Sequence, residues 1–308
     1  MTSPRSLLVG ATGQVGTQML HLLGRGRALP TARYPPAAGW LPLDLALLDA
    51  QSQAAALLDA HPLEAIYCIA GMTNVEACED QAELAHRTNA RGPSVLASYT
   101  RTRGIPFVYF STEYIFDGRS GPYSEGDQPN PINVYGHSKL AGEKGVLDAD
   151  PDALILRTTV VYGPDDRQKN YLYSLMSAIA ARRVIKVPED QISTPTYNQD
   201  LVRTAVALVS TGAHGIFHVC GPELLSRLRF AQAVTRHLGL DTRLLQAIPT
   251  SELGQRAARP LSAGLLTHKL AGSRPTLRLR SVQESIGDCA PQLRSYFLQQ
   301  QTLLSTGG

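Results

Sequence analysis

Tyr135 and Lys139 stand four residues apart in the stretch YGHSK, downstream of the run Ser111-Thr112-Glu113-Tyr114. Residues four apart on a helix share a face, about one turn from each other. A phenol has an ordinary pKa near ~10, and an ammonium held beside it favours phenolate, so such a pair can exchange protons close to neutrality. A hydroxyl at a strand end, Thr112 or Ser111, could fix a carbonyl or alcohol beside that phenol. A trio of this kind suits proton transfer coupled to hydride transfer, given a dinucleotide alongside. His137 sits two positions from Tyr135, off the shared face, and is expected to face solvent.

The N-terminus offers the dinucleotide site. Gly10, Gly13 and Gly16 in GATGQVG follow the apolar run SLLVG. That pattern predicts a strand turning into a helix, where glycines permit a tight turn and let the helix N-terminus face a pyrophosphate. The spacing is GxxGxxG rather than GxGxxG. At the end of the second predicted strand, Ala32-Arg33-Tyr34 has no acid for a ribose 2′-hydroxyl. Arg33, with Arg25 or Arg27 nearby, suits a 2′-phosphate instead, which favours NADP(H) over NAD(H). Asp44-Leu45 follows a third short strand, where Asp44 could meet the adenine edge or cap a helix.

The elements that must position these residues alternate along the chain. Apolar runs at 6–10, 28–33, 41–45, 65–70, 106–111, 153–161 and 215–219 read as strands, and helices are expected at 17–23, 51–60, 81–103, 170–182, 200–210 and 226–238, the last capped by Ser226. This alternation predicts an α/β fold, a doubly wound parallel sheet with right-handed crossovers. Residues 1–161 are expected to form a dinucleotide-binding domain to which 198–220 return. Residues 162–197 and 221–308 would make a smaller substrate-binding lobe; the pattern loosens there, and 240–308 has little periodicity.

Composition narrows the function classes. With 308 residues, 43% hydrophobic and 18% charged, the chain can bury a large core and is not of disordered composition. A net charge of +3 with dispersed basic residues gives no nucleic-acid footprint. The cysteines Cys68, Cys78, Cys220 and Cys289 show neither CxxC nor Cys/His spacing, so reduced thiols are expected, without a disulfide framework or zinc site. No apolar run reaches the ~18 residues of a membrane span. MTSPRSLLVG leads straight into a strand-like segment with no room for a signal peptide, and the expected location is cytoplasmic.

Taken together, GATGQVG, STEYIFDG, PYSEGDQPNPINVYGHSKLAGE, RTTVVYG, QISTPT and RPLS resemble, in order and over most of the chain, the extended short-chain dehydrogenase/reductases. Within them the chain is similar to the dTDP-4-dehydrorhamnose reductase group. The resemblance implies a Rossmann fold and reduction of the C4 keto group of a nucleotide-activated 4-keto-6-deoxy sugar. It implies Tyr135 as the acid that protonates the reduced oxygen, Lys139 on the nicotinamide ribose holding the phenol pKa down, and Thr112 on the sugar carbonyl. Gly10, Thr12, Gly13, Gln14, Val15 and Gly16 would surround the pyrophosphate, with Ala70 and Gly71 lining the cofactor channel. Ser111, Glu113, Tyr114, Asn170, Thr194 and Pro195 would meet the substrate. Asn89 stands where the superfamily often has an Asn supporting the site, or is a helix-surface Asn. The group usually has STDY where this chain has STEY, and a glycine in the DQxGxPT loop where this chain has Ser193. Some members use a divalent cation, for which no carboxylates are identified here, and a homodimer is the family expectation. Two other readings share these features: an NADP-binding regulatory subunit similar to the methionine adenosyltransferase β subunit, and a sugar-nucleotide epimerase. A 4,6-dehydratase would carry Asp-Glu after the Thr, and here only Glu113 follows Thr112.

Overall fold

The computed structural model describes residues 3–273 and 277–306. Seven strands form one parallel sheet: β1 (Arg5–Val9), β2 (Ala28–Ala32), β3 (Leu41–Pro42), β4 (Leu63–Cys68), β5 (Phe107–Thr112), β6 (Leu154–Thr158) and β7 (Gly215–His218). Their order is β7-β6-β5-β4-β1-β2-β3. Strand order reverses between β1 and β4, and a doubly wound sheet opens a crevice at the carboxyl ends of such strands.

Successive strand residues face opposite sides of a sheet, so a strand covered on both faces is apolar at every position. Leu7, Tyr109 and Ile155 pack on one face with Leu58, Leu96 and Tyr99. Their neighbours Leu8, Val108 and Leu156 pack on the other with Met19, Leu201 and Ala205. Helices α2 (Gln51–Leu58), α3 (Gly92–Arg101) and α4 (Val134–Ala149) cover the first face and α1 (Gln14–Leu23) and α6 (Asn198–Ser210) the second, while α5 (Tyr171–Ala180) belongs to a further cluster. That third cluster gathers Tyr162, Leu172 and Met176 with Phe230 and Val234 of α7 (Arg227–Leu238) and Ile286 and Leu293 of α8 (Val282–Thr306). The strand expected at 215–219 does rejoin the sheet, beside β6, and Ser226 caps α7 by accepting from Arg229 N.

Four local expectations are corrected. The helix expected over 81–103 is interrupted by a π-turn at Arg87–Arg91. The strand expected over 153–161 divides, because Val160 takes a positive φ of 41°; β6 stops at Thr158, and Val161–Tyr162 pairs instead with Thr196–Tyr197. The third strand is only Leu41–Pro42, since Asp44 starts a 3-10 turn by accepting from Ala46 N at 3.0 Å. The 25-residue helix α8 has no counterpart among the expected helices. Gly287 and Pro291 read as breakers, yet Val282, Ile286, Cys289 and Leu293 recur at helical spacing and bury in the third cluster.

Candidate active site

One cavity of about 800 Å³ runs along the crevice, from the turn after β1 to α4. Gly10 begins its wall. Its φ of +89° is a conformation that suits glycine, and a Cβ there would stand 2.7 Å from that of Ala70, which follows β4. The two strand ends therefore close on each other only with glycine at this position. Gly13 provides no side-chain cap for α1, so the first-turn N–H groups keep free capacity for an anion. Thr12, Gln14 and Val15 line this end, as do Arg33, Asp44, Leu45, Ala70 and Gly71. Gly16 has a different role: a Cβ there would meet Gly10 O at 2.3 Å, so it lets α1 pack on the turn. Arg33 Nε lies 3.4 Å from Asp44 Oδ2. Asp44 is thus both a cap and part of the cavity wall.

At the other end stand Ser111, Thr112, Glu113, Tyr114, Tyr135 and Lys139. Helix α4 carries two of them, and Asn133 starts it by accepting from Gly136 N at 2.7 Å. Lys139 is buried; its Nζ donates to Phe110 O at 2.6 Å and lies 3.9 Å above the Tyr109 ring. Burial brings its pKa down to about 8. The Tyr135 phenol moves the other way from the expectation. Burial first, then the Glu113 carboxylate, push it above its ordinary value, with a hydrogen bond to Thr112 as counterweight. The ammonium is turned to Phe110 and Tyr109. The upward shift of Tyr135 favours the protonated phenol over the phenolate.

Of the two hydroxyls left open by the sequence, Ser111 donates to Glu143 Oε1 at 2.5 Å. Thr112 lies against the phenol and donates to Glu113 Oε2 at 2.9 Å. Asn89 is fully buried in the π-turn, which decides against the helix-surface alternative. Its amide accepts from Met72 N at 2.8 Å and donates to Met72 O and to Ser138 Oγ, tying the β4 exit to α4. Gly142 fits α4 against this turn, where a Cβ would meet Asn89 O at 2.2 Å. His137 is exposed, as expected.

Asn170, Thr194 and Pro195 stand outside this cavity's wall. The Asn170 amide caps α5 and donates to Gly163 O; Thr194 Oγ1 accepts from Leu265 N, and Pro195 O from Gly221 N. The sequence reading missed Arg227 and Arg167, which do line the cavity. Both come from the loosely patterned half, where no motif marks them. Among the described residues, no group of three or more His, Cys, Asp and Glu is arranged to hold a metal, and no helix is long and apolar enough to cross a membrane.

The fold defines a Rossmann-type α/β protein with one cavity that runs from the glycine turn after β1 to Tyr135 and Lys139. Within that class, the chain belongs to the RmlD substrate binding domain family, matched over residues 5–295. It is 35% identical over 229 residues to the probable low-salt glycan biosynthesis reductase Agl14 of Haloferax volcanii, covering 72% of this chain and 76% of that protein. It is 30% identical over 288 residues to a dTDP-4-dehydrorhamnose reductase of Mycobacterium tuberculosis, covering 91% of each. Among solved structures, a dTDP-4-dehydrorhamnose reductase from Bacillus anthracis in complex with NADP superposes with a TM-score of 0.83 at 28% identity, covering 94% of this chain and 99% of that one.

Proposed function

We propose that this protein is an NADPH-dependent reductase of the C4 keto group of a nucleotide-activated 4-keto-6-deoxy sugar. One observation carries the reading: a single cavity joins the Gly10–Val15 turn to Tyr135, Thr112 and Lys139. Its support from similarity is that related chains are named as reductases of such sugars, one of them in complex with NADP. The residues present fit a dinucleotide, since the uncapped α1 N-terminus and the close Gly10–Ala70 approach form a cradle that a side chain would fill. Bound there, NADPH supplies the hydride. Backbone groups of Gly13 to Val15 bind the pyrophosphate, Arg33 the 2′-phosphate, and Lys139 the nicotinamide ribose. Thr112 orients the sugar carbonyl, and Tyr135 delivers the proton to its oxygen. Residues 162–197 and 221–308 form the sugar-nucleotide side, to which Arg227 and Arg167 bring positive charge. The four cysteines are free and buried, in keeping with a reducing cytoplasm.

The test is loss of reduced nicotinamide absorbance with dTDP-4-keto-6-deoxy-mannose generated in situ, in parallel NADPH and NADH arms. Substrate-dependent turnover supports the reading. Tight NADPH binding with no turnover of any keto sugar would replace it with a binding or regulatory role. The cofactor preference has its own variant. Arg33 is half exposed, so its contact is partly screened, and Arg33→Ala is expected to raise the KM for NADPH about tenfold. The KM for NADH should stay near wild type. An equal change in both would remove Arg33 from the 2′-phosphate.

A further inference from the structure

Glu113 is a carboxyl buried to 5% exposure in the wall of the reaction cavity. It replaces the shorter Asp of the STDY pattern, and it sits at the turn that follows β5, Glu113–Ile115. One partner is a hydroxyl that also bonds the phenol: Thr112 Oγ1 lies 2.9 Å from Glu113 Oε2, and Thr159 faces the same carboxyl. A hydroxyl has one proton and two lone pairs. One lone pair of Thr112 already accepts from Tyr114 N at 3.2 Å. With Glu113 ionised, the carboxylate is the strongest acceptor in reach and takes the Thr112 proton. Thr112 can then only accept from a group in the cavity. With Glu113 protonated, its own O–H can donate to Thr112, and the Thr112 proton turns toward the cavity. Reduction of a carbonyl needs a donor there, whereas the reverse oxidation needs an acceptor.

We propose that Glu113 is a positioning residue that switches Thr112 between hydrogen-bond donor and acceptor, and so sets a pH limb on carbonyl reduction. This rests on the reductase reading given above. Among the groups facing Glu113, it is the carboxyl whose proton affinity burial raises. Tyr114, from its own turn, is pushed up to about 12 by burial. Tyr135 on α4 is raised further. Cys220, beyond β7, is pushed up to about 12 by burial. Burial raises Glu113 above its ordinary value, opposed by hydrogen bonds from Thr159 and Thr112 and by the charge of Arg227 on α7. Lys139 shares the cavity, and its lowered pKa of about 8 gives a separate limb.

The experiment follows kcat/KM for reduction against pH in wild type and Glu113→Gln, with an infrared difference spectrum of the two proteins. The glutamine amide does not titrate, so it holds Thr112 in one hydrogen-bond state across the pH range. Wild-type kcat/KM should fall roughly tenfold as Glu113 ionises, the loss of one hydrogen bond to the reacting oxygen. In Glu113→Gln that limb should vanish while the Lys139 limb remains. The infrared spectrum should show a protonated carboxyl in wild type that titrates with the kinetic midpoint, and Thr112→Val should shift its stretch. An unchanged limb in Glu113→Gln overturns the proposal. So does a carboxyl band insensitive to Thr112→Val, a result that is available even if wild type reduces no keto sugar and the reductase reading itself fails.

Discussion

Tyr135→Phe is expected to lower kcat by roughly 10²–10⁴-fold, the range set by loss of a positioned general acid, while NADPH still binds. The substitution removes one oxygen and leaves the ring. That ring packs with Cys78 and Ala85 and meets Tyr114 edge-on at 5.4 Å between centroids, so the fold should be indifferent to the change. The chemistry should not be. No other phenol takes its place: Tyr114 meets Tyr135 edge-on from the turn after β5 rather than from its position on α4. Rapid-mixing turnover and NADPH titration by fluorescence would separate the two effects. Wild-type turnover in the variant would end the acid assignment. Loss of NADPH binding together with turnover would instead make the phenol part of the cofactor site.

The same contrast shows what the sequence could reveal. Chemistry that follows from spacing along one element was legible. Tyr135 and Lys139 share a face of α4, and Gly10 and Gly13 bound a strand-helix turn, so local periodicity placed them in one cavity. Chemistry that follows from contacts between distant segments was not. The Lys139 ammonium is held by Phe110 O and the Tyr109 ring, while burial and Glu113 raise the phenol it was expected to depress. Asn89 could be read as surface or site because a π-turn, which inserts a residue into a helical repeat, leaves no signature in periodicity. Helix α8 was obscured by Pro291, although its apolar spacing was present. Thr194 sits in a matching motif and Asn170 was expected beside it at the substrate, yet their polar groups are committed to the backbone. Motif position alone does not say which way a side chain turns.

The largest effect on stability is expected at Glu143, one turn beyond Lys139 on the same face of α4. Its carboxylate accepts from Arg157 Nε at 3.0 Å and Nη2 at 2.7 Å, and from Ser111 Oγ. Both charged side chains are 3% exposed. The pair thus fastens α4 to β5 and β6 from beneath the cavity. Glu143→Ala should destabilise the fold by about 3–5 kcal/mol, because it strands a buried guanidinium without a counter-charge. Arg157 already has one nitrogen, Nη1, with no hydrogen-bond partner, so it has little alternative satisfaction to draw on. Removing both charges should cost far less than removing either. In Glu143→Leu with Arg157→Met no ion remains to be desolvated, and apolar side chains can fill the space between α4 and the sheet. Denaturant unfolding of Glu143→Leu, Arg157→Met and the double variant closes the cycle. Additive losses would mean that the pair is not coupled and that α4 is held by its apolar packing. Strong recovery in the double variant, with turnover still reduced, would show that the ion pair sets the angle of the helix that carries Tyr135 and Lys139 rather than the stability of the sheet beneath it.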